Sequence, residues 1–101
     1  MKDEPFLSAA EREFIPAAAW HERSRPGLGG EFVEAIEDAV QHAVEHPERG
    51  SPYLFGTRRI VLDRFRYSVV YVVRSERVAI IAVAHHRRRP GYWRRRLWTI
   101  H

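Results

Sequence analysis

At 101 residues the chain is expected to form one domain, residues 1–101, with little surplus stability. It has no cysteine, which excludes a disulfide framework and a thiolate metal site, and 45% of it is apolar, which argues against wholesale disorder. A net charge of +4 conceals a separation: residues 1–57 carry five Lys/Arg against eleven Asp/Glu, a net −6, and residues 58–101 carry twelve Arg against two acids, a net +10.

That split fits a scaffold half and an anion-facing half better than a uniformly basic surface. The opening Met1-Lys2-Asp3-Glu4-Pro5 is acidic, so no signal peptide is expected. No apolar stretch approaches the roughly 18 residues of a membrane span. The cytoplasm is therefore the expected compartment, and the cysteine count suits it.

In chain order, residues 4–7 are expected as a short first strand. Ser8 with Glu11 three residues on makes a capping box for a helix over residues 9 to about 24. Ala10, Phe14, Ala17, Ala18 and His21 share one face of it at helical spacing. Pro16 should kink that helix or divide it, because proline lacks a backbone donor and crowds the preceding turn. Residues 25–30, Arg-Pro-Gly-Leu-Gly-Gly, are expected as a turn. A second helix over about 31–45 buries Phe32, Ile36, Ala39, Val40 and Ala43, ends at His46-Pro47, and pairs antiparallel with the first.

Residues 48–57 form a loop by their Gly, Pro and Ser. The period then changes from helical to two. Residues 58–63 predict a strand with Ile60 and Leu62 on one face, residues 67–74 a second, Ser75-Glu76 a tight turn, and residues 77–85 a third, all rich in β-branched side chains. The class is α+β: an N-terminal helical hairpin packed on a three- to four-stranded antiparallel sheet, whose other face is left to water or a partner. Tyr67 and Tyr71 alternate with apolar neighbours and belong to the core. His42 and His46 stand at i, i+4 with no third ligand, so no metal site and no cofactor are expected.

The last strand delivers Ala84-His85-His86-Arg87-Arg88-Arg89-Pro90-Gly91-Tyr92-Trp93-Arg94-Arg95-Arg96, with two histidines, six arginines and two aromatic rings. Guanidinium groups grip phosphate or carboxylate through paired hydrogen bonds, aromatic rings stack on bases, and histidine moves protons near neutral pH. The segment predicts a surface for an anionic partner. The bland alternatives are a histidine bonded to the backbone at a strand end, and a Tyr92-Trp93 pair that pins the tail to the sheet.

Three stretches in this order resemble the RelE/ParE toxin superfamily, and in particular its plasmid-stabilisation subgroup. They are Trp20-His21-Glu22-Arg23-Ser24-Arg25-Pro26-Gly27-Leu28-Gly29-Gly30-Glu31-Phe32, the run from Arg58 to Tyr71, and Ala82-Val83-Ala84-His85-His86-Arg87-Arg88-Arg89-Pro90-Gly91-Tyr92-Trp93. The likeness spans about residues 6–96. Two departures stand out: Arg66 in Phe65-Arg66-Tyr67, where the family usually shows Phe-Pro-Tyr, and Pro16. The resemblance implies the toxin half of a bacterial type II toxin–antitoxin pair, hetero-oligomeric with its antitoxin. It leaves two targets open. RelE-like members cut messenger RNA on the ribosome, and ParE-like members poison DNA gyrase.

The residues that bear on this choice are His85, Arg59, Arg64, Arg87 and Tyr92. A metal-free endoribonuclease needs a base near the 2′-hydroxyl, cations on the phosphate and an acid for the leaving oxygen. His85 or His86, the three arginines and Tyr92 are sufficient for that. Alternation along a strand lets only one of the histidines reach the open face. A gyrase poison needs only the arginines. The tail holds more of them than one scissile phosphate requires, which favours the ParE-like side. A non-toxic nucleic-acid-binding module ranks third. Trp20, Leu28, Phe55, Leu97 and Trp98 have no clear core assignment and are expected to meet the antitoxin, which should be acidic and amphipathic.

Overall fold

The computed structural model describes residues 5–100. Its elements are α1 (Ser8–Ser24), α2 (Leu28–Glu45), β1 (Ser51–Pro52), β2 (Arg58–Val61), β3 (Tyr67–Arg74) and β4 (Arg77–His85). Short 3-10 turns occupy Pro47–Arg49, Leu54–Gly56 and Arg94–Thr99. The four strands form one antiparallel sheet in the order β1-β2-β3-β4. β3 and β4 have the bounds the alternating pattern predicts. The loop expected over 48–57 contributes the two-residue β1, which pairs with Arg58 and Arg59.

The first helix departs from expectation at two points. Ser8 is the first helical residue and Leu7 the N-cap, with no side-chain capping bond, so the capping box does not form. Pro16 neither divides nor ends the helix, which runs as a single span through it. Proline at this position lies on the exposed side, where the carbonyl it deprives of a donor still meets water.

The second helix begins three residues before the expected start, because an acid from the first helix caps it. The Glu22 carboxylate accepts from the backbone N–H of Gly27 (3.0 Å) and of Gly29 (3.0 Å), satisfying donors that a helix N-terminus leaves free. A Cβ on Gly29 would come within 2.7 Å of the Ala18 carbonyl oxygen. Glycine thus lets α2 start against α1, and Gly29-Gly30 is helix and not turn.

Both faces of the sheet are covered. On one, α1 and α2 bury Ala10, Phe32, Ile36, Ala43, Val69, Tyr71, Ile80 and Val83. The five α2 residues predicted for the core are all buried. On the other face, expected to be open, the chain after β4 folds back and encloses Val70, Val72, Ile81, Ala82 and Trp93, with Tyr53, Leu97 and Ile100 at the margin. Trp93 is 1% exposed. The Tyr92-Trp93 pair therefore does pin this C-terminal arm to the sheet.

A β-bulge decides which way the histidines point. Val70 pairs with Ala82, but the next residue, Tyr71, pairs with Ile80, so Ile81 is extra. Ile81 and Ala82 consequently both face the arm, and the alternation restarts with Val83 toward the helices. His85, two residues on, pairs with Tyr67 and faces the helix side, while His86 is left for the arm side. The outer edge of β4 is also paired. Leu7 N–H donates to Ile80 O (3.0 Å) and Ile80 N–H to Pro5 O (2.7 Å), with a parallel bridge at Phe6. This single bridge stands where a first strand over 4–7 is expected; Glu4 lies outside the described residues.

Gly50 shows one more close approach. Its N–H donates to the Tyr71 hydroxyl (3.0 Å), which donates to Pro47 O (2.6 Å), and a Cβ there would collide with the ring. Tyr71 is thus core, as predicted, and anchors the chain entering β1.

Candidate functional site

Two concave regions flank the end of β4. The first, about 260 Å³, lies between the sheet and the arm and includes Tyr53, Arg59, Ser68, His86, Arg88 and Tyr92 in its lining. The second, about 510 Å³, opens on the helix side and includes Trp20, His21, Arg64, Arg66, Tyr67 and His85. Strand alternation puts the two consecutive histidines on opposite faces, and the bulge sets which of them faces which side.

The five candidate residues divide accordingly. Arg59 and Tyr92 belong to the arm-side cleft. Arg64 lies on the helix side, where it pairs with Glu31 of α2 (2.5 Å) and lies over the Phe65 ring at 5.1 Å. His85 borders both clefts. Arg87 is exposed, and its backbone N–H donates to His85 Nδ1 at 3.0 Å.

That last bond fixes the tautomer of His85. An Nδ1 that accepts carries no proton, so a neutral ring holds its proton on Nε2. Burial lowers the imidazole's proton affinity, and nearby Arg87, His86, Arg66 and His21 lower it further. Its edge meets Tyr67 with ring centroids 4.9 Å apart. A proton NMR titration should accordingly give His85 a midpoint below the ordinary value of about 6.5; a midpoint at or above it would contradict this geometry. The sign for stability follows. Above about 6.5 both folded and unfolded chains hold the ring neutral, and below it the unfolded chain takes up a proton that the folded one resists. This residue's contribution therefore falls as pH drops through that value.

Tyr92 is equally committed. Its hydroxyl donates to Glu13 Oε2 at 2.5 Å. Burial, then this bond to a carboxylate, pushes its ionisation well above the usual phenol range. Glu13 is the hub of a network the sequence reading missed. It also accepts from Arg96 Nη1 (2.9 Å) and Nη2 (3.0 Å), and from the backbone N–H of Val83 (3.1 Å). Arg96 Nη1 donates further to Ile81 O (3.0 Å). One carboxylate thereby joins α1, the bulged edge of β4 and the arm. A signal existed: Glu13 stands three residues after Ala10 and four before Ala17, on the apolar stripe, where an acid needs a partner.

Two arginines of the arm-side cleft lie over rings: Arg59 is 4.1 Å from the Tyr53 centroid and Arg88 is 3.9 Å from Tyr92. Outside its lining, Arg94 is 4.4 Å from the Phe55 centroid. Trp93 backs two of these rings, at 6.0 Å from both Tyr53 and Phe55. His86 Nε2 meets the Ser68 hydroxyl at 2.9 Å.

Of the residues expected to meet a partner, Leu28 and Leu97 pack against the two cores. Phe55 lies under Arg94, and Trp20 and Trp98 are 57% and 73% exposed. Among the described residues, no group of three or more His, Cys, Asp or Glu is placed to hold a metal ion, and no helix is long and apolar enough to cross a membrane.

A helical hairpin on one face of a four-stranded antiparallel sheet, ending in an arginine-rich arm, is the architecture of the RelE/ParE class of small toxins. Within that class the chain belongs to the family described as "ParE toxin of type II toxin-antitoxin system, parDE", which residues 6–90 match. It is thus a ParE-type toxin of a toxin–antitoxin pair, and an antitoxin is its implied partner. Among solved structures it is similar in fold to one titled "Chromosomal ParDE TA system from P. aeruginosa", with a TM-score of 0.70 and 15% identity over 79% of this chain and 90% of that one. No curated protein matches it in sequence.

Proposed function

We propose that this toxin stops growth by binding and poisoning DNA gyrase and that it cuts nothing itself. The observation that carries the reading is the state of His85. A general base needs a free lone pair within reach of the proton it removes, and the Nδ1 lone pair of His85 is spent on the Arg87 N–H. The Tyr92 hydroxyl is likewise spent on Glu13. What the surface offers is charge, from Arg59, Arg88 and Arg94, each over an aromatic ring, and from the exposed Arg87. That suits docking to an anionic target more than proton transfer.

The partner antitoxin, on this reading, is acidic and amphipathic. It covers the exposed Trp20 and Trp98 and half-neutralises the basic half, in the cytoplasm where both would be made. A second reading, ribosome-dependent cleavage of mRNA, is favoured by one observation: His86 shares the arm-side cleft with Arg59 and Arg88.

Incubation of the purified chain with translating ribosomes and a defined messenger tests the choice. The expected result is an intact messenger. Cleavage that His85→Ala slows by about 10²–10⁴-fold would overturn the proposal.

A further inference from the structure

We infer that the arm-side cleft binds a phosphodiester backbone, and that the backbone is duplex DNA. The anion site rests on its own geometry. Only the choice of DNA rests on the reading of the chain as a gyrase poison, since gyrase holds DNA.

A guanidinium laid flat on a ring is fixed through its face, while its N–H edge remains free to donate. In the cleft, Arg59 and Arg88 hold the guanidinium carbon over the rings of Tyr53 and Tyr92, and outside its lining Arg94 does the same over Phe55. The rings beneath them are themselves fixed, by Trp93 and by the Tyr92 bond to Glu13. Much of the entropy cost of ordering long arginines is therefore met before a ligand arrives. None of Arg59, Arg88, Arg89 and Arg94 has an ion pair among the described residues, whereas Arg25, Arg64 and Arg96 do. Among the described residues no carboxylate lines the cleft, and its polar lining includes the Ser68 hydroxyl with His86.

Arg59, Arg88 and Arg89 at one opening carry more charge than a single carboxylate neutralises. A ligand with charge repeated at close spacing matches them, and duplex DNA carries one charge per about 1.7 Å of its axis. A phosphate also presents oxygens in several directions, so that one group accepts from two differently placed guanidiniums. An acidic protein segment would bring flexible carboxylates and an apolar stripe to bury, and beside the exposed Arg88, Arg89 and His86 the lining offers such a stripe Val61 and Pro90 alone among its exposed residues.

The test is fluorescence anisotropy with a short labelled DNA duplex at several salt concentrations, repeated with single-stranded RNA and with poly-glutamate. Three full-length proteins are compared: the unaltered chain, an Arg59→Gln/Arg88→Gln/Arg89→Gln variant, and an Arg12→Gln/Arg23→Gln/Arg74→Gln variant that removes equal charge elsewhere. The cleft variant should weaken DNA binding at least tenfold and flatten the slope of log K against log salt by about 2–3. The charge-matched variant should change affinity less than about threefold, as expected of phosphate contacts made in one place. Arg88→Gln alone carries the comparison if circular dichroism shows the triple variant unfolded.

Absence of DNA binding, or equal loss in both variants, would overturn the inference, as would tighter binding to RNA or poly-glutamate. Gyrase supercoiling run in parallel separates the two proposals. Inhibition without DNA binding removes this inference and leaves the function, and DNA binding with no effect on gyrase does the reverse.

Discussion

Glu13→Ala should lower the stability of the chain by about 3 kcal/mol, the low end of what breaking a buried ion pair costs. The low end applies because the Glu13 and Arg96 side chains keep 15% and 21% of their exposure. The change leaves three groups short at once. Arg96 retains the Ile81 carbonyl as a hydrogen-bond acceptor and the Tyr92 ring but no counter-charge, and the Tyr92 hydroxyl and the Val83 N–H lose their acceptor. A domain of this size commonly has about 5–15 kcal/mol in total, so the loss is a large fraction. In a chain near 100 residues it corresponds to a fall in melting temperature of roughly 15 °C. Urea unfolding measures it. A loss under about 1 kcal/mol would mean that the network is a surface ornament. Arg96→Met in the Glu13→Ala background should recover part of the loss, because the stranded charge is then gone.

Trp93→Ala should cost about 3–5 kcal/mol, the range for emptying a large aromatic site. Trp93 is the largest fully buried side chain and fills the face opposite the helices, between Val70, Val72, Ile81 and Ala82. Its loss leaves a cavity and also frees the rings of Tyr53 and Phe55, which carry Arg59 and Arg94. Stability and growth inhibition should therefore fall together, whereas Trp93→Phe keeps a ring in place and should retain most of both. Urea unfolding alongside a growth assay checks this. An Ala variant that is as stable as the parent would show that the arm does not seal the second core.

The helices and long strands were legible because each has one strong period. Phe32, Ile36, Ala39, Val40 and Ala43 repeat every three to four residues, and Tyr67–Arg74 is β-branched almost throughout. What was not legible depends on contacts distant in sequence. Glu22 begins α2 early by reaching across to Gly27 and Gly29. The bulge at Ile81 leaves no mark in an unbroken apolar run, yet it sends His85 to the helix side and His86 to the arm side. The arginine-rich tail was visible as a candidate surface for an anionic partner. Which arginines lie together was not. Arg59 joins Arg88 because the arm folds back on Trp93, and Arg64 is drawn away by Glu31. Glu13 and Tyr92 find each other across 79 positions of chain.

The central claim, a binding toxin directed at gyrase, is tested most directly by supercoiling of relaxed plasmid with gyrase, ATP and the purified chain. The unaltered chain and His85→Ala should inhibit to the same extent, and Arg59→Gln/Arg88→Gln should need at least about tenfold more protein, a loss of roughly 1.4 kcal/mol in binding. Full supercoiling in the presence of excess unaltered chain, or inhibition that disappears with His85→Ala alone, would contradict it.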